Sequence, residues 1–338
     1  VGISFFTFQS MSYIIDAYRQ IIPTERNLVR YASYVALFPQ MVAGPIERAK
    51  AILPQLHSAP VITREDVSDG ISLFVTGLFK KAVMADFLAV YVDRVYGSPD
   101  SYGSAALLFA TYAFAWQIYF DFSGYTDMAR GTARIMGIKL MLNFNNPYTA
   151  VDIGDFWRRW HISLSSWFKD YVYIPLGGNK TVKYRIWWNI FLTMLISGFW
   201  HGAAWTYVIW GALNGLGRLL SLRIEKTEFY VRKTPKIVKQ LLVFHFICLT
   251  WIFFRAASLG DAMTIIKRIF SFAGGDPRIP VALVLLTVAV WCYQLVFSSS
   301  LGQILERRVC RVGAAALALI LVIALSSPVQ KQFIYFQF

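Results

Sequence analysis

Residues Ser197 to Trp205 read SGFWHGAAW. The stretch sets an imidazole, His201, among three large rings and two glycines inside a long apolar run. A neutral imidazole in apolar surroundings is a good general base once a nearby carboxylate or hydroxyl sets its tautomer. The alternative is a buried histidine that only donates or accepts a hydrogen bond. Gly198 and Gly202 are expected to leave room for a backbone or a ligand to come close, and Trp200 and Trp205 to form a wall.

A second histidine, His161, lies forty residues earlier in DFWRRWHISLS. Ile153, Phe156, Trp157, Trp160, His161, Leu164, Trp167 and Phe168 share one helical stripe, which predicts an amphipathic helix over 153–168. Asp152 is placed to cap it and Asp155 to favour its N-terminal dipole. Arg158, Arg159 and Lys169 fall mostly off the stripe. They could meet lipid phosphates at a membrane surface or the phosphates of a substrate. Asp121, Asp127, Arg130 and Arg134 follow directly on an apolar segment. Charges at membrane depth pair with each other or line a watery cavity, so these form either an ion-pair network or a polar pathway. His245 lies mid-helix among apolar neighbours, where an interhelical hydrogen bond explains it as well as function does; His57 sits in a polar loop.

The elements that must hold these groups are helices. The chain is 57% hydrophobic and only 15% charged, against about 25% charged in a soluble domain. Apolar runs recur at 105–120, 186–200, 203–222, 241–254, 281–297 and 313–325. Lipid admits only helices or closed barrels, and no alternating barrel pattern occurs. The expectation is an all-α polytopic bundle forming a single domain over 1–338, with an aromatic tail at 333–338. A long helix is expected over 67–91, carrying Lys80 and Lys81, and a shorter one over 28–42. The chain opens on Val1 in mid-run, which suggests that further N-terminal helices precede it.

The net charge of +14 is read as Lys/Arg-rich cytoplasmic loops rather than as a nucleic-acid surface. Segment 223–239 and the arginines at 307, 308 and 311 mark the inside. His201 then falls at the turn of a helical hairpin away from the cytoplasm, and the tail lies outside. Cys248, Cys292 and Cys310 are too scattered for a disulfide framework or a metal site. No phosphate loop, zinc motif or serine elbow occurs.

In order along the chain, GISFFTFQ (2–9), AGPIER (43–48), DFSGYTDM (121–128), DFWRRWHISLS (155–165), YIPLGG (173–178) and SGFWHGA (197–203) resemble the membrane-bound O-acyltransferases, especially the bacterial branch that O-acetylates alginate. The resemblance implies a bundle pierced by a funnel or tunnel, with His201 as the catalytic histidine and His161 as its partner. It implies an acyl thioester donor at the cytoplasmic mouth, acetyl-CoA or an acyl carrier, with no tightly bound cofactor and no metal. Arg158, Arg159 and Lys169 would bind the donor phosphates, while Asp121, Asp127 and Trp200 would support the site. It also implies the bacterial inner membrane, a polysaccharide acceptor and an extracytoplasmic SGNH-type acetyltransferase partner. Tyr335 in the tail could act as an acyl relay. D-alanyl or peptidoglycan O-acyl transfer, a transporter and a non-catalytic scaffold are the other readings.

Overall fold

The computed structural model describes residues 3–41, 44–275, 279–297, 299, 302–305, 307–326 and 333. Among them there are helices and turns and no strand. Each of the six apolar runs falls in a helix, the run at 203–222 from Trp205 onward. In chain order the main ones are α1 (Ile3–Tyr18), α2 (Leu28–Val35), α3 (Arg64–Phe79), α4 (Asp86–Tyr96), α5 (Ser104–Ile135), α6 (Ile153–Arg159), α7 (Ile162–Phe168), α8 (Lys183–His201), α9 (Trp205–Ile224), α10 (Lys236–Arg255), α11 (Leu259–Phe270), α12 (Val281–Phe297) and α13 (Arg308–Leu325). Helices α10 and α13 are each long and apolar enough to cross a membrane alone.

The long helix expected over 67–91 is present as α3 and α4, joined by a π segment at Lys80–Ala85. The start of α3 is fixed by a reciprocal cap, in which Thr63 Oγ1 accepts from the Asp66 amide and Asp66 accepts from the Thr63 amide. The helix expected over 28–42 stops at Val35, and turns around Pro39 follow it.

The 32-residue α5 is about 48 Å long at 1.5 Å per residue. Its middle is buried on all sides, so it forms the axis of the bundle. Antiparallel α3 packs on it at two glycine crossings, Gly70 with Gly131 and Gly77 with Gly124. A Cβ on Gly131 would stand 2.5 Å from the Gly70 carbonyl oxygen, and one on Gly77 2.5 Å from that of Gly124. Seven residues is about two helical turns, so both contacts lie on one face of each helix.

Helices α8 and α9 form a hairpin whose turn is 202–204. The rest of the core is aromatic: Trp116, Trp210, Trp251, Tyr148, Phe114 and Phe156 are among its fully buried side chains.

Candidate active site

His201 is the last residue of α8. Its ring meets Trp200 at 4.8 Å, Trp210 of α9 at 5.0 Å and Phe254 of α10 at 5.0 Å, all edge to face. Three helix ends therefore converge on one imidazole. His161 is 1% exposed. It contacts Phe122 at 4.6 Å, Phe5 at 6.0 Å and Trp200 at 6.4 Å between ring centroids. The Trp200 ring thus touches both histidines.

The continuous helix expected over 153–168 is broken. α6 ends at Arg159, Trp160 is extended, and His161 is left-handed at φ 42° and ψ 55°. Its stripe is nonetheless buried, apart from the half-buried Trp157. The break persists because residues 143–145 satisfy the backbone groups that it frees. The Asn143 carbonyl accepts from the Ile162 amide at 2.9 Å, and the Asn145 amide donates to the Arg159 carbonyl at 2.9 Å. Asn143 Oδ1 accepts from the Ser163 amide at 3.1 Å and its hydroxyl at 2.9 Å. A non-glycine residue at positive φ is strained by about 1–3 kcal/mol, and such strain clusters at functional sites. Asp152 does cap α6, accepting from the Asp155 amide at 2.7 Å.

A cavity of about 1030 Å³ opens between α6, α7, α8 and α9, and neither histidine is among its lining residues. Arg158, Lys169, Lys183, Arg218, Arg223 and Lys226 line its basic end. Trp157, Ile190, Thr193, Met194 and Ser197 line the rest, and Ser197 is one helical turn before His201. In the sequence Arg223 and Lys226 stand out only as charges of the basic segment 223–239, and Arg218 carries no local signal. The hairpin accounts for the grouping, since the start of α8 and the end of α9 must meet. Arg218 is held by Glu225 at 2.9 Å and lies over Gly154, where a Cβ would stand 2.6 Å from the guanidinium carbon. Arg159 is not among the lining residues; it pairs with Asp155 at 2.9 Å.

The glycines beside His201 leave the room expected of them, and at Gly198 it is a backbone that comes close. A Cβ on Gly198 would collide with the Tyr207 carbonyl oxygen, and one on Gly202 would lie 2.6 Å from the Tyr207 ring. They make room for the hairpin itself. Asp121 pairs with Lys81 at 2.7 Å and Asp127 with Lys80 at 2.6 Å. Both carboxylates thus belong to the α3–α5 seam, and the neighbouring Phe122 links that seam to His161. His57 lies 3.2 Å from Glu25. His245 is exposed and donates from Nδ1 to the Leu241 carbonyl at 2.7 Å. Tyr335 lies outside the described residues. Phe333 is buried against Tyr125 and Phe122. Among the described residues no cluster of metal-ligating side chains occurs.

The model of the membrane-bound O-acyltransferase family matches residues 6–260. The chain is 42% identical over 275 residues to a Pseudomonas aeruginosa protein named probable alginate O-acetylase AlgI, covering 80% of this chain and 52% of that protein. It is 38% identical over 304 residues to the peptidoglycan O-acetyltransferase of Helicobacter pylori, covering 81% and 57%. It is 31% identical over 267 residues to the teichoic acid D-alanyltransferase of Bacillus subtilis, covering 73% and 66%. The chain spans about half the length of the alginate O-acetylases it matches.

Proposed function

The chain belongs to the membrane-bound O-acyltransferase family, and from that premise we propose that it moves an acetyl group from acetyl-CoA onto a hydroxyl bound for an extracytoplasmic polysaccharide such as alginate. The observation that carries this reading is the cavity, which leads from six cationic side chains to Ser197, one turn from His201. A CoA thioester has the matching shape: phosphates at one end, a narrow arm, and the reacting carbonyl at the other. Arg158 and Lys169, with the four further cations, meet the phosphates through charge-assisted hydrogen bonds. His201 removes the acceptor hydroxyl proton as the oxygen attacks the thioester, and His161 takes the second catalytic position across Trp200. Base catalysis of this kind contributes about 10²–10⁴-fold. Confinement of donor and acceptor in one channel adds the effect of proximity.

We read the cationic end of the cavity as its mouth on the cytoplasmic face of a bacterial inner membrane, on the strength of the Lys/Arg excess there. An SGNH-type acetyltransferase outside completes the transfer to the polymer. Acetyl is preferred to D-alanyl because the more similar of the relatives named above carry acetyl in their names.

The test uses the full-length protein in nanodiscs with radiolabelled acetyl-CoA and alginate oligosaccharide. His201→Ala is expected to lower acetyl transfer about 10²-fold or more, with folding and CoA binding retained. Transfer at the wild-type rate by His201→Ala would overturn the base assignment.

A further inference from the structure

An indole Nε1–H is a donor only, and buried polar groups nearly always have a partner. Around His201 that rule is broken three times. The Nε1 atoms of Trp157, Trp200 and Trp210 are buried with no acceptor among the described residues. Other indoles in the same core are satisfied: Trp167 donates to the Phe8 carbonyl at 2.9 Å and Trp251 to the Tyr148 hydroxyl at 3.2 Å. A further unsatisfied indole, Trp116, packs on Tyr119, Phe120, Tyr148, Phe244 and Trp291 and takes no part here.

The three indoles form a connected series. Trp157 lines the cavity and meets Trp210 edge to face at 5.8 Å. Trp210, 1% exposed, meets His201 at 5.0 Å, and Trp200 meets His201 at 4.8 Å. Their rings are fixed by apolar neighbours, Trp210 by Trp251 and Phe254 and Trp200 by Phe5 and Phe8. Rigid rings with unsatisfied N–H groups provide donors that need no reorganisation when charge develops nearby. What such a series lacks is acceptors, and a pantetheine thioester supplies them in order: amide carbonyls along the arm and a thioester carbonyl at its end.

We propose that Trp210 and Trp200 donate to the thioester carbonyl oxygen as the oxyanion site, and that Trp157 donates to an amide carbonyl of the arm. This rests on the reading of His201 as the base. The acceptor oxygen bonds to the carbonyl carbon while His201 takes its proton. The carbonyl electron pair moves to oxygen and is met by the two indole N–H groups. Collapse restores the carbonyl, breaks the C–S bond and returns the proton from His201 to the departing thiolate. The products are an ester and a free thiol.

The experiment removes each N–H while keeping a ring, with Trp210→Phe, Trp200→Phe and Trp157→Phe in the full-length protein. Turnover of acetyl-CoA is measured beside the affinities of two CoA analogues: a trifluoromethyl ketone, which becomes tetrahedral on addition, and a thioether without a carbonyl. Trp210→Phe and Trp200→Phe are each expected to lower kcat by about 10²–10³-fold. They should weaken the ketone by a similar factor and leave the thioether unchanged. Trp157→Phe is expected to raise KM with kcat held, the mark of uniform binding lost. Unchanged kcat in both Trp210→Phe and Trp200→Phe overturns the proposal. So does equal weakening of ketone and thioether, which marks a packing role. If His201→Ala keeps its turnover while the Trp variants lose theirs, the base assignment fails and the carbonyl site stands.

Discussion

Two regions of this bundle place polar groups deep among helices and treat them in opposite ways. In the seam between α3 and α5, charges are matched. Lys81 bridges Asp86 and Asp121 at 2.7 Å each, Lys80 meets Asp127 at 2.6 Å, and Asp69 meets Arg134 at 2.9 Å and Arg311 of α13 at 2.8 Å. At the turn of the α8–α9 hairpin, buried indole donors have no acceptors among the described residues. A satisfied network closes on itself and holds helices together. An unsatisfied one is complete only when something else enters. Charge at membrane depth alone would have marked the seam as functional; what sets the two regions apart is that the seam's charges are paired, whereas the indole donors around His201 have no acceptor among the described residues.

The strongest way to break this contrast is to open the seam. Lys81→Met leaves two buried carboxylates without their cation. Removing one partner of a buried pair costs about 3–5 kcal/mol, so thermal unfolding in detergent should show a large loss of stability. Adding Asp86→Asn and Asp121→Asn to that variant should recover part of it. A Lys81→Met protein that is as stable as wild type but inactive would move the seam into the site.

A smaller effect is expected at the glycine crossings. Gly131→Ala would put a methyl group 2.5 Å from the Gly70 carbonyl oxygen and 2.7 Å from the Phe74 amide nitrogen. Backbone cannot yield as a flexible side chain does. Overpacking of this kind costs about 1–3 kcal/mol, and separation of the helices would also stretch the Arg134–Asp69 pair. Stability should fall with the KM for acetyl-CoA unchanged. A raised KM with stability unchanged would show that the seam shapes the cavity.

The sequence carried the helices well, because apolar runs and caps such as Asp152 and Thr63 are local signals. It carried the burial of the stripe through His161 for the same reason. The break at His161 was not legible, since the groups that make it tolerable come from Asn143 and Asn145, almost twenty residues earlier. The ion pairs were half legible: the carboxylates stood out, but Lys80 and Asp127 are separated by 47 positions and meet only once α3 and α5 cross. The room left by the glycines beside His201 was legible, but what fills it was not: the Tyr207 backbone at Gly198 and the Tyr207 ring at Gly202. The three indoles were visible only as aromatic residues, since a missing acceptor is a property of the packed core.

Glu47 lies between the two regions and allows a finer test. It sits in the segment joining α2 to α3, is 1% exposed, and accepts from the Met141 amide at 2.5 Å. Met141 is two residues before Asn143, which holds the break at His161. Burial pushes the Glu47 carboxyl up to about 7, against the opposing pull of the Met141 amide and of Arg130 and Arg48. The unfolded chain has the ordinary value near 4.5. Between these values the folded state keeps a proton that the unfolded state gives up. Stability is therefore greatest below the unfolded value and falls as pH rises through the folded one. The loss from pH 6 to pH 7 should be on the order of 1 kcal/mol. Glu47→Gln keeps an oxygen for the Met141 amide and carries no charge at any pH, so its stability should lose this part of the slope. If the variant keeps the wild-type slope over that range, the titrating group lies elsewhere and Glu47 belongs with the closed network of the seam.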